Sequence, residues 1–391
     1  MTISKKFENI VLNRPTYKLL MSIAFAIKTD HVYDVYVHHV AFMGAINWFL
    51  LFFCSFITLI NYKHLSNNTI LELMVYGTFG LQQFILITLL LLKKKSVIAT
   101  YTSIQTTFVR WSLKIENDPY YSYKKNLKFI SYSIIVFMIN WSFIIFGPLV
   151  SVFFDKNNLP INHHSHWIMY WPYTSYVNNY LVFFIIYLLQ ATSCCYFLIA
   201  TVAYNVYLVI FLSEIRHQFK LLEIGLETAF FDRKSMLFQD SFVNCIRHHQ
   251  ELLKTFDEFK NYYKYVLFGQ LVCIQYATSI LLYCILKVDA SFGFAIKCIG
   301  ILTYWIIIFC HQCDLGDDMI NVHRIIANKL YNEEWYSMPI HNKKLVIIMF
   351  LRTQRELELN SAVISQAVAS KAILLKMLNT IYKFFNVLLK A

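Results

Sequence analysis

Apolar runs separated by short charged segments set the pattern of this chain. Runs of about 20 apolar residues, enough helix to cross a hydrocarbon layer roughly 30 Å thick, fall at 41–61, 71–92, 127–154, 179–212, 262–286, 291–313 and 361–389. The fold class predicted is an all-α membrane protein with seven transmembrane helices. The fourth run is far longer than a bilayer needs, so its second half, through Tyr204 and Tyr207 to Leu212, should continue as helix into the cytoplasm. The stretch 19–27, apolar between Lys18 and Lys28, reads as a helix lying on the membrane surface. No repeat of fixed period and no pair of matching halves is present, so 1–391 reads as a single seven-span domain.

Charge orients the spans, because cytoplasmic segments near the membrane retain Lys and Arg. Residues 1–40, 93–128, 213–260 and 311–360 carry 26 of the 35 basic residues, whereas the segments on the opposite side carry four: Lys63, Lys156, Lys287 and Lys390. The N-terminus is therefore expected inside and the C-terminus outside. Asn67-Asn68-Thr69 is a glycosylation sequon in the first outer loop of this arrangement, with Asn67 the acceptor. A G-protein-coupled receptor, with its N-terminus outside, is excluded by the same count, and no G protein is required.

Composition agrees with the pattern. Hydrophobic residues make up 58% and aromatic residues 17% of the chain, more than a soluble surface could hide. The net charge of +12 is dispersed over cytoplasmic loops facing anionic membrane lipid and calls for no nucleic acid. None of the nine cysteines lies in the outer loops 62–70, 155–178 or 287–290, so no extracellular disulfide framework is implied. Cys310-His311-Gln312-Cys313 has CxxC spacing without a second ligand pair, and His163, His164 and His166 read as a solvated loop. Asp314, Asp317 and Asp318 read as a solvated helix end. No phosphate loop, nucleophile elbow or zinc-protease motif occurs, so an enzyme is not expected and no cofactor is implied.

Polar residues inside the first six spans are sparse, and Gln82, Gln83, Asn140, Gln190 and Gln275 fit interhelical hydrogen bonds. The last span differs. With Asn379 at zero on a helical wheel, Ser361, Ser365, Lys376, Lys383 and Asn386 fall at about 0°, 40°, 60°, 40° and −20°. Such a stripe faces water or protein rather than lipid. It fits either a seam against neighbouring helices or a pore wall built by several subunits.

The stretch "MFLRTQRELELNSAVISQAVASKAILLKMLNTIYKFFNVLL" (349–389), with its basic RTQR, polar break and tyrosine-bearing apolar tail, resembles the end of insect odorant receptors. "WPYTSYVNNYLVFFIIYLLQ" (171–190) resembles the family's entry to the fourth span, and "LYNEEWY" (330–336) the segment before its last cytoplasmic helix. Lys383 departs from the small or apolar residue usual after that tyrosine. The resemblance implies an odorant-tuning subunit of a ligand-gated, non-selective cation channel that assembles with the odorant co-receptor, with a tetramer expected, in the plasma membrane of sensory dendrites. It implies an intersubunit anchor from 200–262 and 311–360. It also implies a pocket for a small volatile apolar ligand in the outer half of the bundle, at Tyr76, Phe79, Ser142, Phe143, Phe146, Tyr180, Phe183, Tyr187, Phe294 and Cys298. The last span would line the pore, with Tyr382 in its signature, Phe385 and Leu389 as a gate and Asn386 beside it. A gustatory-receptor-type channel and a membrane carrier are the competing readings.

Overall fold

The computed structural model describes residues 67–103, 180–231, 237–287, 292–364 and 367–390, with isolated positions at 53, 56–57 and between 132 and 146. The 19–27 stretch, the His163–His166 loop and most of the 41–61 and 127–154 runs lie outside the described residues. Among the described residues the regular elements are helices: α1 (Asn67–Leu92), α2 (Lys94–Ser103), α3 (Tyr180–Phe231), α4 (Leu237–Lys287), α5 (Phe292–Asn332), a single 3₁₀ turn (Trp335–Ser337), α6 (Ile340–Thr353) and α7 (Lys371–Lys390).

Helices α3, α4 and α5 run for 52, 51 and 41 residues, so α3 and α4 each extend about 75 Å, more than twice the depth of a bilayer. Their inner halves hold together because the apolar pattern does not stop where the membrane would. Leu208, Leu212, Ile215, Phe219, Leu222 and Leu226 follow alternating spacings of four and three, the seam of a coiled coil, and all are buried. Each such side chain contributes roughly 1.5–3 kcal/mol when fully removed from water. Rings close the seam: Phe211 stacks on Phe259 at 4.2 Å between centroids, and Phe230 near the end of α3 clusters with Phe238 and Phe242 near the start of α4, with centroids 5.2–5.8 Å apart. The 179–212 and 262–286 runs thus mark only the most apolar parts of longer helices.

Helix α4 is the hub, touching α1, α2, α3, α5, α6 and α7. Its most apolar stretch is 67% buried within the chain, against 11% for that of α7. α7 therefore packs through one narrow face and leaves the remainder for lipid or other subunits.

The start of the last span differs from the sequence expectation. Residues 361–364 and 367–370 are not helical, and α7 begins at Lys371. The chain folds back on itself, with the Ser361 N–H donating to the Ala367 carbonyl at 2.8 Å and the Ala369 N–H to the Leu359 carbonyl at 2.9 Å around an Asn360–Val368 bridge. The Ala362 N–H reaches the Lys264 carbonyl on α4 at 2.9 Å. β-Branched and hydroxyl side chains in this segment favour extended and turn backbone over helix, and Ser370 stands at the helix start, its Oγ accepting from the Ile373 N–H at 3.5 Å. Ser361 thus leaves the polar stripe, and Ser365 lies outside the described residues.

Candidate functional site

The outer half of α3 supplies the aromatic wall expected of a pocket. Positions 183, 187, 190 and 194 recur at helical spacing and face inward, so Phe183, Tyr187, Gln190 and Cys194 are buried while Leu181, Phe184, Ile185, Leu188 and Leu189 are exposed. Phe183 and Tyr187 pack with ring centroids 5.9 Å apart, and the Tyr187 hydroxyl donates to the Ile145 carbonyl. Tyr76 and Phe79 stand on α1, Tyr180 at the start of α3, and Phe294 and Cys298 on α5. Phe143 lies outside the described residues.

Two expected pocket residues do not face inward. Ser142 is exposed and returns its hydroxyl to the Met138 carbonyl at 2.8 Å, and Phe146 is 60% exposed. Trp141, buried, and Ile145, half-buried, face the interior instead. One residue of register is 100° of helix.

Helix α7 presents opposite faces of different chemistry. Met377 and Ile381 are buried, Phe384 meets Tyr276 of α4 at 4.9 Å, and the Ser279 hydroxyl lies 3.5 Å from the Ile381 carbonyl. Directly opposite, Lys376, Asn379 and Lys383 are exposed. Tyr382 and Leu389 are exposed beside that polar face, Asn386 is half-buried at its edge, and Phe385 is half-buried on the flank nearer α4. Asn67 of the sequon is the first residue of α1.

The acidic group of α5 is both solvated and engaged, with the Asp314 side chain 57% exposed. Asp318 pairs with Arg216 of α3, with burial pushing its carboxyl pKa up against the pull of that guanidinium. Asp314 pairs with the Lys371 ammonium at 3.4 Å, and Asp317 accepts from the Lys371 backbone N–H at 3.1 Å. Between them, Gly316 lets α5 approach the loop before α7 so closely that a Cβ there would overlap the Ala369 carbonyl. These partners lie far apart in the chain, and no local spacing signals them.

Deeper in the cytoplasmic half, the buried Glu214 accepts from Gln218 at 3.0 Å, and Gln218 meets His248 at 3.1 Å. Burial pushes the Glu214 carboxyl up to about 7, with the Gln218 hydrogen bond opposing. Next to it, His249 and His323 face each other at 3.2 Å between ring nitrogens, with Phe219 edge-on to both. Burial holds both imidazoles neutral, at about 3 and about 4, helped by the nearby Arg352 charge.

A family model described as 7tm Odorant receptor matches residues 73–389. The fold is similar to that of the insect olfactory receptor OR5 from Machilis hrabei in complex with eugenol, with a TM-score of 0.77, 15% identity, and coverage of 96% of this chain and 97% of that one. The same receptor in a second structure matches with a TM-score of 0.76 and 14% identity over 95% and 97% of the two chains. At this identity the likeness shows the shared all-helical, seven-span fold.

Proposed function

This chain belongs to the 7tm odorant receptor family, and from that premise we propose that it is a tuning subunit of an odorant-gated, non-selective cation channel in the plasma membrane, assembled with an odorant co-receptor. Its membership in a family of multi-pass membrane receptors makes it a receptor channel of olfaction, not an enzyme; the tuning role, the partner and the ion selectivity are the proposal. The observation that carries it is α7, a terminal helix buried on one narrow face, with a polar stripe on the other that one subunit cannot cover. Several such helices around a common axis would enclose a water-filled path. In this reading Leu389 and Asn386 border that path, Tyr382 and Phe385 flank it, and Lys383 sits in a hydrated seam between subunits. The basic loops put the N-terminus in the cytoplasm, and the 200–262 and 311–360 helices serve as the intersubunit anchor.

The odorant would bind in the outer half of the bundle against Phe183 and Tyr187, with Tyr76, Phe79, Tyr180, Phe294 and Cys298 on neighbouring elements and Trp141 in the position first expected of Ser142. A small apolar ligand gains roughly 0.8 kcal/mol per buried methylene, which aromatic walls and one or two hydroxyls suit. The eugenol bound by the similar Machilis hrabei receptor is of this size and chemistry. The test is electrical: a panel of volatiles applied to cells expressing this chain with and without the co-receptor. Odorant-evoked cation current only on co-expression is expected. Current from this chain alone would point to a self-sufficient channel of the gustatory type, and ligand uptake without current to a carrier.

A further inference from the structure

Tyrosine hydroxyls crowd one layer of the bundle, where α3 and α4 pass from the apolar runs into their cytoplasmic halves. Tyr204 and Tyr207 come from α3, Tyr262 and Tyr263 from α4, and all four side chains are at most 2% exposed. Tyr207 of α3 and Tyr263 of α4 flank Phe259, with ring centroids 6.3 and 5.4 Å from its own, in the layer where α3 packs along α4. Tyr207 shares a hydrogen bond of 2.5 Å with Thr100 of α2. The hydroxyls of Tyr204, Tyr262 and Tyr263 have none among the described residues.

Nearby polar groups are satisfied by one another only in part. Asn205 donates to the Tyr304 hydroxyl at 3.1 Å, and Gln312 donates to the Asn205 side-chain carbonyl at 3.1 Å. The Gln312 carbonyl oxygen on α5 is again without a partner. One orphaned hydroxyl in a dry core is costly, and well over nine in ten buried polar groups avoid that state. Three on two packed helices, all at most 2% exposed, put a set of unpaired polar atoms into one layer of the core. Packing does not explain them, because the same aromatic layer uses Phe211 and Phe259, stacked at 4.2 Å, where only a ring is needed.

We infer that Tyr204, Tyr262 and Tyr263 line a buried hydrated site, a small cluster of water molecules held between α3 and α4 and bridging their hydroxyls. Water is the occupant the chemistry selects: each phenol offers one donor and an accepting oxygen, and a water molecule can serve two or three such groups at once. No charged group is needed, and the site is distinct from the odorant region in the outer half. The bridges give the two longest helices a polar joint at the level where the membrane bundle meets the cytoplasmic half.

Substituting Phe for each of the three tyrosines in the full-length receptor tests this by sign. A hydroxyl orphaned in a dry core stabilises the protein when removed, whereas one bound to water destabilises it. Tyr204→Phe and Tyr262→Phe should each lower the thermal unfolding midpoint, with the folded-to-unfolded ratio falling roughly two- to tenfold. Tyr207→Phe, which loses the Thr100 bond, calibrates the scale. A cryo-electron microscopy map of the assembled channel at water-resolving resolution should show density within hydrogen-bond distance of at least two of the three hydroxyls. Midpoints that rise or stay unchanged in Tyr204→Phe and Tyr262→Phe overturn the inference, as does a map in which the space between these oxygens is dry.

Discussion

Replacing Glu214 with Gln keeps the shape and the acceptor for Gln218 while removing the charge. The carboxyl is 4% exposed, and burial raises it from 4.5 to about 7. Below pH 4.5 the group is protonated in folded and unfolded chains alike and costs nothing. As pH rises from 4.5 towards 7 the unfolded chain releases its proton first, so native stability falls, and the loss is complete above 7. A shift of this size corresponds to about 3 kcal/mol. Glu214→Gln should therefore raise the unfolding midpoint of detergent-solubilised protein at pH 8, shrinking to about 1 kcal/mol or less at pH 5. The neutral histidine pair His249–His323 works with the opposite sign, losing stability as pH falls below about 6.5. His248, reached through Gln218, belongs to the same network, and comparing variant with parent at each pH isolates Glu214. An equal gain at pH 5 and pH 8, or a parent more stable than the variant at pH 8, refutes the reasoning.

Gly316→Ala drives a methyl into the Ala369 carbonyl, so the unfolding midpoint should fall by an amount typical of overpacking, roughly 1–3 kcal/mol. An unchanged midpoint would show that the loop before α7 yields freely. Phe183→Ala should move the odorant dose-response to higher concentration by roughly 1–3 kcal/mol of lost contact, with surface labelling retained. Unchanged potency and ligand ranking would place the pocket elsewhere. Cysteine at Asn386 or Leu389 should make odorant-evoked current sensitive to a small charged thiol reagent, with little effect at Lys383. The reverse order would make the polar stripe the pore wall.

The sequence carried most of the architecture because long helices advertise themselves. The 208–226 seam is readable from spacing alone, and the inner extension of α3 was visible in its uninterrupted apolar run. The start of α7 was not, since residues 361–369 are as apolar as a span and only their backbone pairing with Leu359 and Lys264 reveals the fold-back. In the third run Ser142 and Phe146 were expected from the resemblance alone, and both are exposed where Trp141 is buried and Ile145 half-buried. The roles of Asp314 and Asp317 depend on Lys371, which only tertiary structure brings to them.

The unbroken course of α4 also constrains how this protein can change length. From Leu237 to Lys287 it is one helix, so a single inserted residue would turn everything beyond it by 100° and advance it by about 1.5 Å. An insertion before Phe259 would swing that ring off Phe211, and one before Ser279 would carry it away from Ile381. Because α4 contacts six other helices among the described residues, no compensating rotation of one neighbour could restore the lost pairs. Along α4 the chain can thus drift only by substitution.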